Sequence, residues 1–307
     1  MGMGMQWDGL LRNLGDWYGA FERLDPRTGD RLGIEPSLVS LQTPDDGKTV
    51  VQRIRRAAGP IADWDDPNVQ GLLCDRQLFI SSLGRGFMAL PSGAFSQGST
   101  QLGPFAEFGA ELGLIEGDRR VRLVMRFDRD GHLEPMTLMP EWRGGGPAWG
   151  EDSQDRVIVP ASLLMATLEG TWRGETTTVY PDFRPSDRGS CELTVTRSGP
   201  LGSVIDQCLS FKGPSTEGTV RSRGHFDGRR IRFEGGDGSG RPATQVLLLK
   251  DGISANCPEQ VQLRQPFVLE LGWLVAPNRR RRLVRYYDAS GEWTSLTEIL
   301  EEKINPS

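Results

Sequence analysis

An internal repeat runs through this 307-residue chain and limits the folds that it can adopt. The motif Gly-x-Trp-x-Gly occurs at residues 15–19 and again at residues 170–174, with the two tryptophans 155 positions apart. An arginine-rich stretch at residues 119–137 matches residues 279–297 at eight of 19 positions without a gap. Self-similarity at a fixed spacing indicates repeated structural units. The sequence therefore predicts an internal duplication.

Each half is predicted to form an all-β domain, the first in residues 1–150 and the second in residues 151–307. The chain holds 39 glycines and 20 prolines, and this abundance of turn-forming residues favours many short strands over long helices. Segments 60–75 and 200–211 are each predicted to hold a short helix, at equivalent places in the two halves. Consecutive antiparallel strands with tight turns are typical of an up-and-down barrel or a sandwich. We predict two tandem antiparallel up-and-down β-barrels.

Composition and charge exclude several classes of function. With 36 Lys and Arg against 41 Asp and Glu, the net charge is −5, which lacks the basic surface that nucleic-acid binding needs. No apolar run approaches the roughly 20 residues of a membrane-spanning helix, and the N-terminus has no signal-peptide pattern, so we expect no membrane span and a cytoplasmic location. Four scattered cysteines and two histidines predict no metal site and disfavour a Ser-His-Asp or Cys-His nucleophile.

The two Gly-x-Trp motifs, at Gly15-Asp16-Trp17 and Gly170-Thr171-Trp172, resemble the signature of the lipocalin (calycin) superfamily. That resemblance implies lipocalin-like barrels in which an arginine of the last strand lies across the tryptophan and closes one end. The pattern of residues 7–21 and the segment FSQGS at residues 95–99 carry a second resemblance. They are similar to a lipocalin-like family of cyanobacteria and chloroplast-bearing organisms whose function is largely uncharacterised.

A stretch of the second half carries a third resemblance. It runs from Glu270 through the turn Pro277-Asn278 to the strand with Arg280 and Arg282, and it ends at Glu298-Ile299. This pattern is similar to the S-type phycobiliprotein lyases (the CpcS/CpeS family). The resemblance implies binding of a phycobilin or another tetrapyrrole, with a phycobiliprotein as partner. No other cofactor is predicted.

The predicted ligand site combines arginine guanidinium groups, an acidic residue and aromatic side chains. A linear tetrapyrrole carries two propionates and a long conjugated face, and arginine holds a carboxylate through two parallel hydrogen bonds. Glu270 is the candidate catalytic residue, as a proton donor. The predicted ligand-binding residues are Arg280, Arg282, Trp273 and Tyr286 in the second half and Glu111, Arg120 and Arg122 at the repeated positions in the first.

The pattern leaves open which face of the arginine strands points inward. Alternate residues of a strand face the same side, so Arg120 and Arg122 share one face, whereas Val121 and Leu123 share the other. The apolar face is normally the core, which would leave the arginines on a solvated surface. A barrel with a polar lumen, whose outer wall packs on its partner domain, reverses that arrangement.

Three functions fit these features. The first is a binding or carrier protein for a hydrophobic anionic ligand, a tetrapyrrole such as a bilin, in phycobiliprotein chromophore handling. The second is a bilin lyase that attaches a phycobilin to a phycobiliprotein cysteine. The third is a non-catalytic assembly or scaffold protein whose barrels are filled by side chains. A lumen large enough for a tetrapyrrole favours the first two, and a filled lumen favours the third.

Overall fold

The computed structural model describes residues 3–44, 47–57, 64, 74–79, 86–145, 161–214, 217–235 and 242–304. Within these residues the chain forms two antiparallel β-sheets and two short α-helices, α1 (Met3–Leu11) and α2 (Ala161–Leu168). Neither helix has the length and apolarity needed to cross a membrane. The all-β prediction is confirmed.

One antiparallel sheet makes up the first half. Its nine strands are β1 (Gly15–Leu24), β2 (Arg31–Gln42), β3 (Thr49–Arg56), β4 (Cys74–Phe79), β5 (Phe87–Ala89), β6 (Phe95–Gly98), β7 (Phe108–Glu116), β8 (Arg119–Phe127) and β9 (Met136–Arg143). Their order is β4-β3-β2-β1-β9-β8-β7-β6-β5. The pattern predicts a closed barrel here as well, but β4 and β5 stand at the two edges and no ladder joins them within the described residues. The edge strand β5 has only three residues, too few for a long ladder.

A closed barrel makes up the second half, and the barrel prediction is confirmed there. Its ten strands follow one another in chain order: β10 (Gly170–Val179), β11 (Asp187–Ser198), β12 (Val204–Lys212), β13 (Glu217–Phe226), β14 (Arg230–Phe233), β15 (Thr244–Leu248), β16 (Ile253–Pro258), β17 (Phe267–Ala276), β18 (Arg279–Tyr287) and β19 (Trp293–Ile304). The last strand, β19, pairs with β10 over nine residue pairs. The first and last strands of the barrel are therefore not free sheet edges.

The short helix predicted within residues 200–211 is limited to a single 3-10 turn at Pro200–Gly202. Most of this segment belongs to β12, which pairs with β11 on one side and β13 on the other. Ile205 is buried and only Ser210 and Lys212 are exposed. The two ladders override any local helical preference. The helix predicted over residues 60–75 lies almost wholly outside the described residues.

The two halves share one apolar core. Leu123 of β8 and Leu283 of β18 belong to a single buried cluster that spans both halves. Phe108 of β7 lies edge-on to Tyr287 of β18, with ring centroids 4.9 Å apart. The faces of β8 and β18 that carry Leu123 and Leu283 therefore lie in this shared core, and the opposite faces, which carry the arginine pairs, point to the inner side of each sheet.

Candidate functional site

Strand register places the predicted arginines inside the C-terminal barrel. Arg280 lies opposite Glu301 of β19, and Glu301 lies opposite Gly174 of β10. On the other side of β18, Val284 lies opposite Glu270 of β17. Residues directly opposite in a ladder face the same side. Of the two orientations that the sequence left open, the structure therefore has the polar lumen.

Two arginines and two glutamates form a buried layer across this lumen, the C-terminal ion-pair layer (Glu270, Arg280, Arg282 and Glu301). Arg282 donates from Nε and Nη2 to the two oxygens of Glu270, at 2.6 and 3.0 Å, and from Nη1 to Glu301 at 3.1 Å. Arg280 donates from Nε to Glu301 at 2.7 Å. Each residue is at most 8% exposed. Their four charges sum to zero, as burial away from water requires.

The first half builds the same arrangement, the N-terminal ion-pair layer (Glu111, Arg120, Arg122 and Glu141). Arg122 donates to the two oxygens of Glu141 from Nε at 2.9 Å and Nη2 at 2.7 Å, and its Nη1 donates to Glu111 at 2.8 Å. Arg120 donates from Nε to Glu141 at 2.6 Å. The two-pronged contact is therefore made with Glu141 on the last strand, β9, in the first half. In the second half it is made with Glu270 on β17, the strand before the arginines.

Sequence reasoning missed the glutamate that bridges each arginine pair. Glu141 on β9 and Glu301 on β19 each accept hydrogen bonds from two arginines. They are separated by 160 positions, which is also the spacing between the matching arginines of the two halves. The same spacing, continued a few residues beyond position 137, pairs Glu141 with Glu301.

The second glycine of each Gly-x-Trp-x-Gly motif makes room for the bridging glutamate. A Cβ added at Gly19 would lie 2.7 Å from Cγ of Glu141, and one added at Gly174 would lie 2.7 Å from Cγ of Glu301. Non-bonded carbon atoms normally stay about 3.5–4.0 Å apart. The first strand of each half therefore has no side chain where the glutamate crosses it.

A buried tryptophan lies beside each layer. The indole N–H of Trp172 donates to the Leu168 carbonyl at 2.9 Å, and that of Trp17 donates to the Asn13 carbonyl at 2.8 Å. Both rings are fully buried. In the barrel, α2 and Trp172 pack into one apolar cluster, so this end of the lumen is filled by side chains.

Basic residues of the last strands lie across these rings. The Arg143 guanidinium is 4.6 Å from the Trp17 ring centroid, and the Lys303 ammonium is 5.6 Å from that of Trp172. The lipocalin resemblance implies an arginine at this position. Arg143 meets that expectation in the first half, and a lysine takes the place in the second.

The arginines keep the buried glutamates ionised. Burial alone raises the pKa of a carboxyl group, but the adjacent guanidinium groups outweigh burial, so the pKa values of Glu141, Glu270 and Glu301 lie below the ordinary 4.5. Burial lowers the pKa of Arg120 to about 10, which still leaves it protonated at neutral pH. The guanidinium groups of Arg122 and Arg282 are already bonded in two-pronged contacts to the protein's own carboxylates.

Beyond the ion-pair layer, the C-terminal barrel has a partly exposed inner wall, called here the open lumen. Tyr286, on the same face of β18 as Arg282, is 39% exposed. A ten-stranded barrel is wider than the eight-stranded barrels that hold one small ligand. Five further side chains on this wall face inward and are half-buried rather than buried: Thr176, Thr178, Phe211, Val284 and Thr297.

Trp273 does not line the lumen, contrary to the prediction. It lies three residues from Glu270 and therefore on the opposite face of β17. There it is fully buried in the core that the two halves share, with Arg119 4.9 Å from its ring centroid. The other predicted site residues lie on the inner faces: Glu270, Arg280, Arg282 and Tyr286 in the barrel, and Glu111, Arg120 and Arg122 in the first half.

The buried cysteines are not set up as nucleophiles. Cys191 lies 3.8 Å from Glu301, and burial together with that carboxylate raises the pKa of its thiol to about 11. Cys257 lies in the shared core, where burial raises its pKa to about 12. Because the thiolate is the reactive form, neither group is activated to attack a ligand.

These features define a class of protein with two antiparallel sheets, each holding a neutralised arginine layer beside a buried tryptophan. Residues 3–146 match the N-terminal domain of DUF3598, a domain of unknown function, and residues 160–304 match the C-terminal domain of "Biogenesis factor required for ATP synthase 1". A DUF3598-family protein of unknown function from Nostoc punctiforme PCC 73102 has a crystal structure that is 36% identical, with a TM-score of 0.81. The similarity covers 97% of this chain and 99% of that one. The chain belongs to the DUF3598 family.

Two further solved structures are much more distant. The S-type phycobiliprotein lyase CPES from Guillardia theta is 10% identical over 48% of this chain and 94% of that chain, with a TM-score of 0.37. A putative outer membrane protein from Bacteroides fragilis NCTC 9343 is 11% identical over 96% of this chain and 99% of that chain, with a TM-score of 0.23. No curated protein matches the chain.

Proposed function

We propose that the chain binds a hydrophobic anionic ligand, a tetrapyrrole of the bilin type, in the open lumen of the C-terminal barrel. The observation that carries this proposal is the half-buried inner wall, since a barrel filled by its own side chains would bury them throughout. Phe211 and Val284 offer apolar contacts to the conjugated face, and Thr176 and Thr178 offer hydroxyl groups. Pockets of this kind are mostly apolar with a few placed polar groups.

In this proposal the C-terminal ion-pair layer is the floor of the site and Tyr286 lies at its mouth. A propionate can bind Arg282 only by displacing a carboxylate, because the arginine's donors already bond Glu270 and Glu301. The Glu270 side chain is 9% exposed and that of Glu301 is fully buried. Glu270 is therefore the carboxylate that a ligand displaces.

The first half supplies a second candidate site of the same kind. Its Glu111 side chain is 14% exposed and also accepts a hydrogen bond from Gln97 at 2.7 Å, while Arg120 and Arg122 lie beneath it. We further propose that residues 1–150 and 151–307 are duplicated lipocalin-like domains. Matching ladders support this, since each motif tryptophan lies opposite the basic residue of its last strand.

A visible absorbance titration of the purified chain with phycocyanobilin and with phycoerythrobilin tests the binding proposal. Because a rigid site holds a flexible bilin in one extended conformation, we expect a red-shifted and sharpened band at micromolar protein. No spectral change with either bilin would contradict the proposal.

A bilin lyase is the alternative that uses the same site. It requires Glu270 as proton donor, and the Arg282 contact that keeps this carboxyl ionised counts against that role. The substitution Glu270→Gln separates the possibilities. If Glu270 is catalytic, the variant still binds the bilin but no longer transfers it to a phycobiliprotein cysteine. If bilin binding and transfer are lost to the same extent, Glu270 only contacts the ligand or stabilises the fold.

A second candidate function is a non-catalytic assembly factor, supported by the match of residues 160–304 to a domain of an ATP synthase biogenesis factor. Two neutralised ion-pair layers and one shared core also suit a rigid scaffold. A strain without the gene tests this function. It predicts less assembled ATP synthase on native gels with unchanged subunit synthesis, and a normal amount of the assembled complex would contradict it.

A further inference from the structure

A cavity of about 460 Å³ lies at the junction of the two halves. The first half contributes most of its wall, from the end of α1 and the residues after it, the turn before β6, the end of β7 and the end of β9. The second half contributes Arg281 of β18. Its polar lining residues are Arg12, Ser92, Glu116, Arg143 and Arg281.

The acidic groups at this cavity are already paired. Glu116 accepts from Arg279 at 2.8 Å and from Arg281 at 3.1 Å. Glu298, next to the cavity, accepts from Ser92 at 2.7 Å and also from Arg281. The Arg281 side chain is 9% exposed and is held in place by these contacts.

Two further arginines at the cavity keep donor capacity. Arg143 donates from Nη2 to the Arg12 carbonyl at 2.9 Å, and its nearest carboxylate, that of Asp118, is 3.9 Å away and 82% exposed. The Arg12 side chain is exposed. No side chain in the described part of the chain accepts a hydrogen bond from it. The cavity therefore has more cationic than anionic charge to offer a ligand.

Buried donors at the same place also lack partners. Within the described residues, Nε of Arg143 and Nε of Arg281 are shielded from water without a hydrogen-bond acceptor. An unpaired buried donor destabilises the fold, and more so when it is charged. The negative charge of a bound anion would offset this cost by attracting both guanidinium groups.

We infer that this cavity binds a small molecule bearing one carboxylate or phosphate group. The anionic group lies against Arg12 and Arg143, whose planar forks suit both oxyanions. The body of the ligand lies against the apolar lining residues Leu11, Leu14 and Ile115. The cavity lies within the size range of ligand pockets, about 300–1,000 Å³. It includes none of the residues assigned to the bilin site, so each proposal is tested separately.

Calorimetric titration of the full chain at constant ionic strength tests this site, with inorganic phosphate and octanoate as the two probes. We expect one of them to bind once per chain. Arg12→Gln should weaken binding about tenfold and Arg12→Glu should abolish it, since each removes a charge-assisted contact. The control is Arg173→Gln on the outer surface of the barrel, whose side chain is 70% exposed.

The outcomes separate the two oxyanions. Binding of phosphate alone identifies a phosphate site, and binding of octanoate alone identifies a carboxylate on an apolar chain. If neither binds at millimolar concentration, the proposal is wrong. It is also wrong if Arg12→Gln binds like the unaltered chain, or if Arg173→Gln weakens binding as much as Arg12→Gln does.

Discussion

Gly174 lies directly opposite Glu301 on the neighbouring strand, and a Cβ at position 174 would come within 2.7 Å of the glutamate's Cγ. The same relationship joins Gly19 to Glu141 in the first half. The residue allowed on the first strand of each half thus depends on the glutamate of the last strand. The Gly-x-Trp-x-Gly motif therefore places a buried tryptophan and also leaves room for a buried carboxylate. The repeat preserves this contact as well as the arginines.

We predict that Gly174→Ala destabilises the barrel by about 1–3 kcal/mol, the usual cost of overpacking a filled site. The added methyl group must push Glu301 away from its arginines. Gly33→Ala is the matched control, because a Cβ there meets nothing within 4 Å. Urea unfolding measures both free energies, and equal values for the two variants would contradict the packing role.

Glu301→Gln should lower the free energy of unfolding by about 3–5 kcal/mol, because it leaves buried guanidinium charge without its partner. Glu192→Gln removes the partner of Arg173 from an exposed pair, with side chains 45% and 70% exposed, and should cost less than about 1 kcal/mol. The measurement is again urea unfolding. A loss at Glu301 no larger than that at Glu192 would show that the layer does not stabilise the fold.

Acid should destabilise the chain through the same layers. The pKa values of Glu141, Glu270 and Glu301 are lower in the folded chain than the ordinary 4.5. The unfolded chain therefore takes up these protons first, so the stabilisation is complete above pH 4.5 and is lost as the pH falls through the lowered values. As the pH falls below 4.5, the free energy of unfolding should decrease less steeply for Glu301→Gln than for Glu192→Gln. Identical slopes would contradict the assignment.

Ser96→Ala should weaken the junction between the halves. Arg285 is fully buried and donates from Nη1 to the Ser96 hydroxyl at 2.9 Å. That hydroxyl donates in turn to the Glu111 carbonyl at 2.7 Å. Removing it leaves a charged donor unpaired, a loss of about 1–3 kcal/mol, whereas Ser210→Ala removes only an exposed contact with Thr219. If thermal unfolding of the two variants were the same, Ser96 would not join the halves.

The repeat predicts that the two arginines of each half lie on one face of their strand, because residues two positions apart on a strand face the same side. Arg120 and Arg122 share a face with Glu111, and Arg280 and Arg282 share one with Glu270, as expected. The inward direction was not predictable from one strand. It depends on how the two sheets pack, because Leu123 of β8 and Leu283 of β18 lie in the shared core and leave the opposite faces of their strands inward.

Other features required information that a local pattern lacks. The nearness of Trp273 to Glu270 along the chain predicts that it lines the site, but a spacing of three residues places it on the opposite face of the strand. Glu301 lies beyond the segment in which the repeat was counted. The strand structure of β12 depends on its pairing with β11 and β13, which the pattern within residues 200–211 does not show.

The proposed bilin site is tested most directly by blocking the open lumen. Thr178 of β10 faces inward and is half-buried, and Glu175 of the same strand faces outward and is exposed. A tryptophan at position 178 fills the lumen, whereas one at position 175 leaves it unchanged. In an absorbance titration with phycocyanobilin, Thr178→Trp should weaken binding about tenfold or more, and Glu175→Trp should bind like the unaltered chain. Unchanged binding by Thr178→Trp would place the ligand outside the barrel and contradict the account.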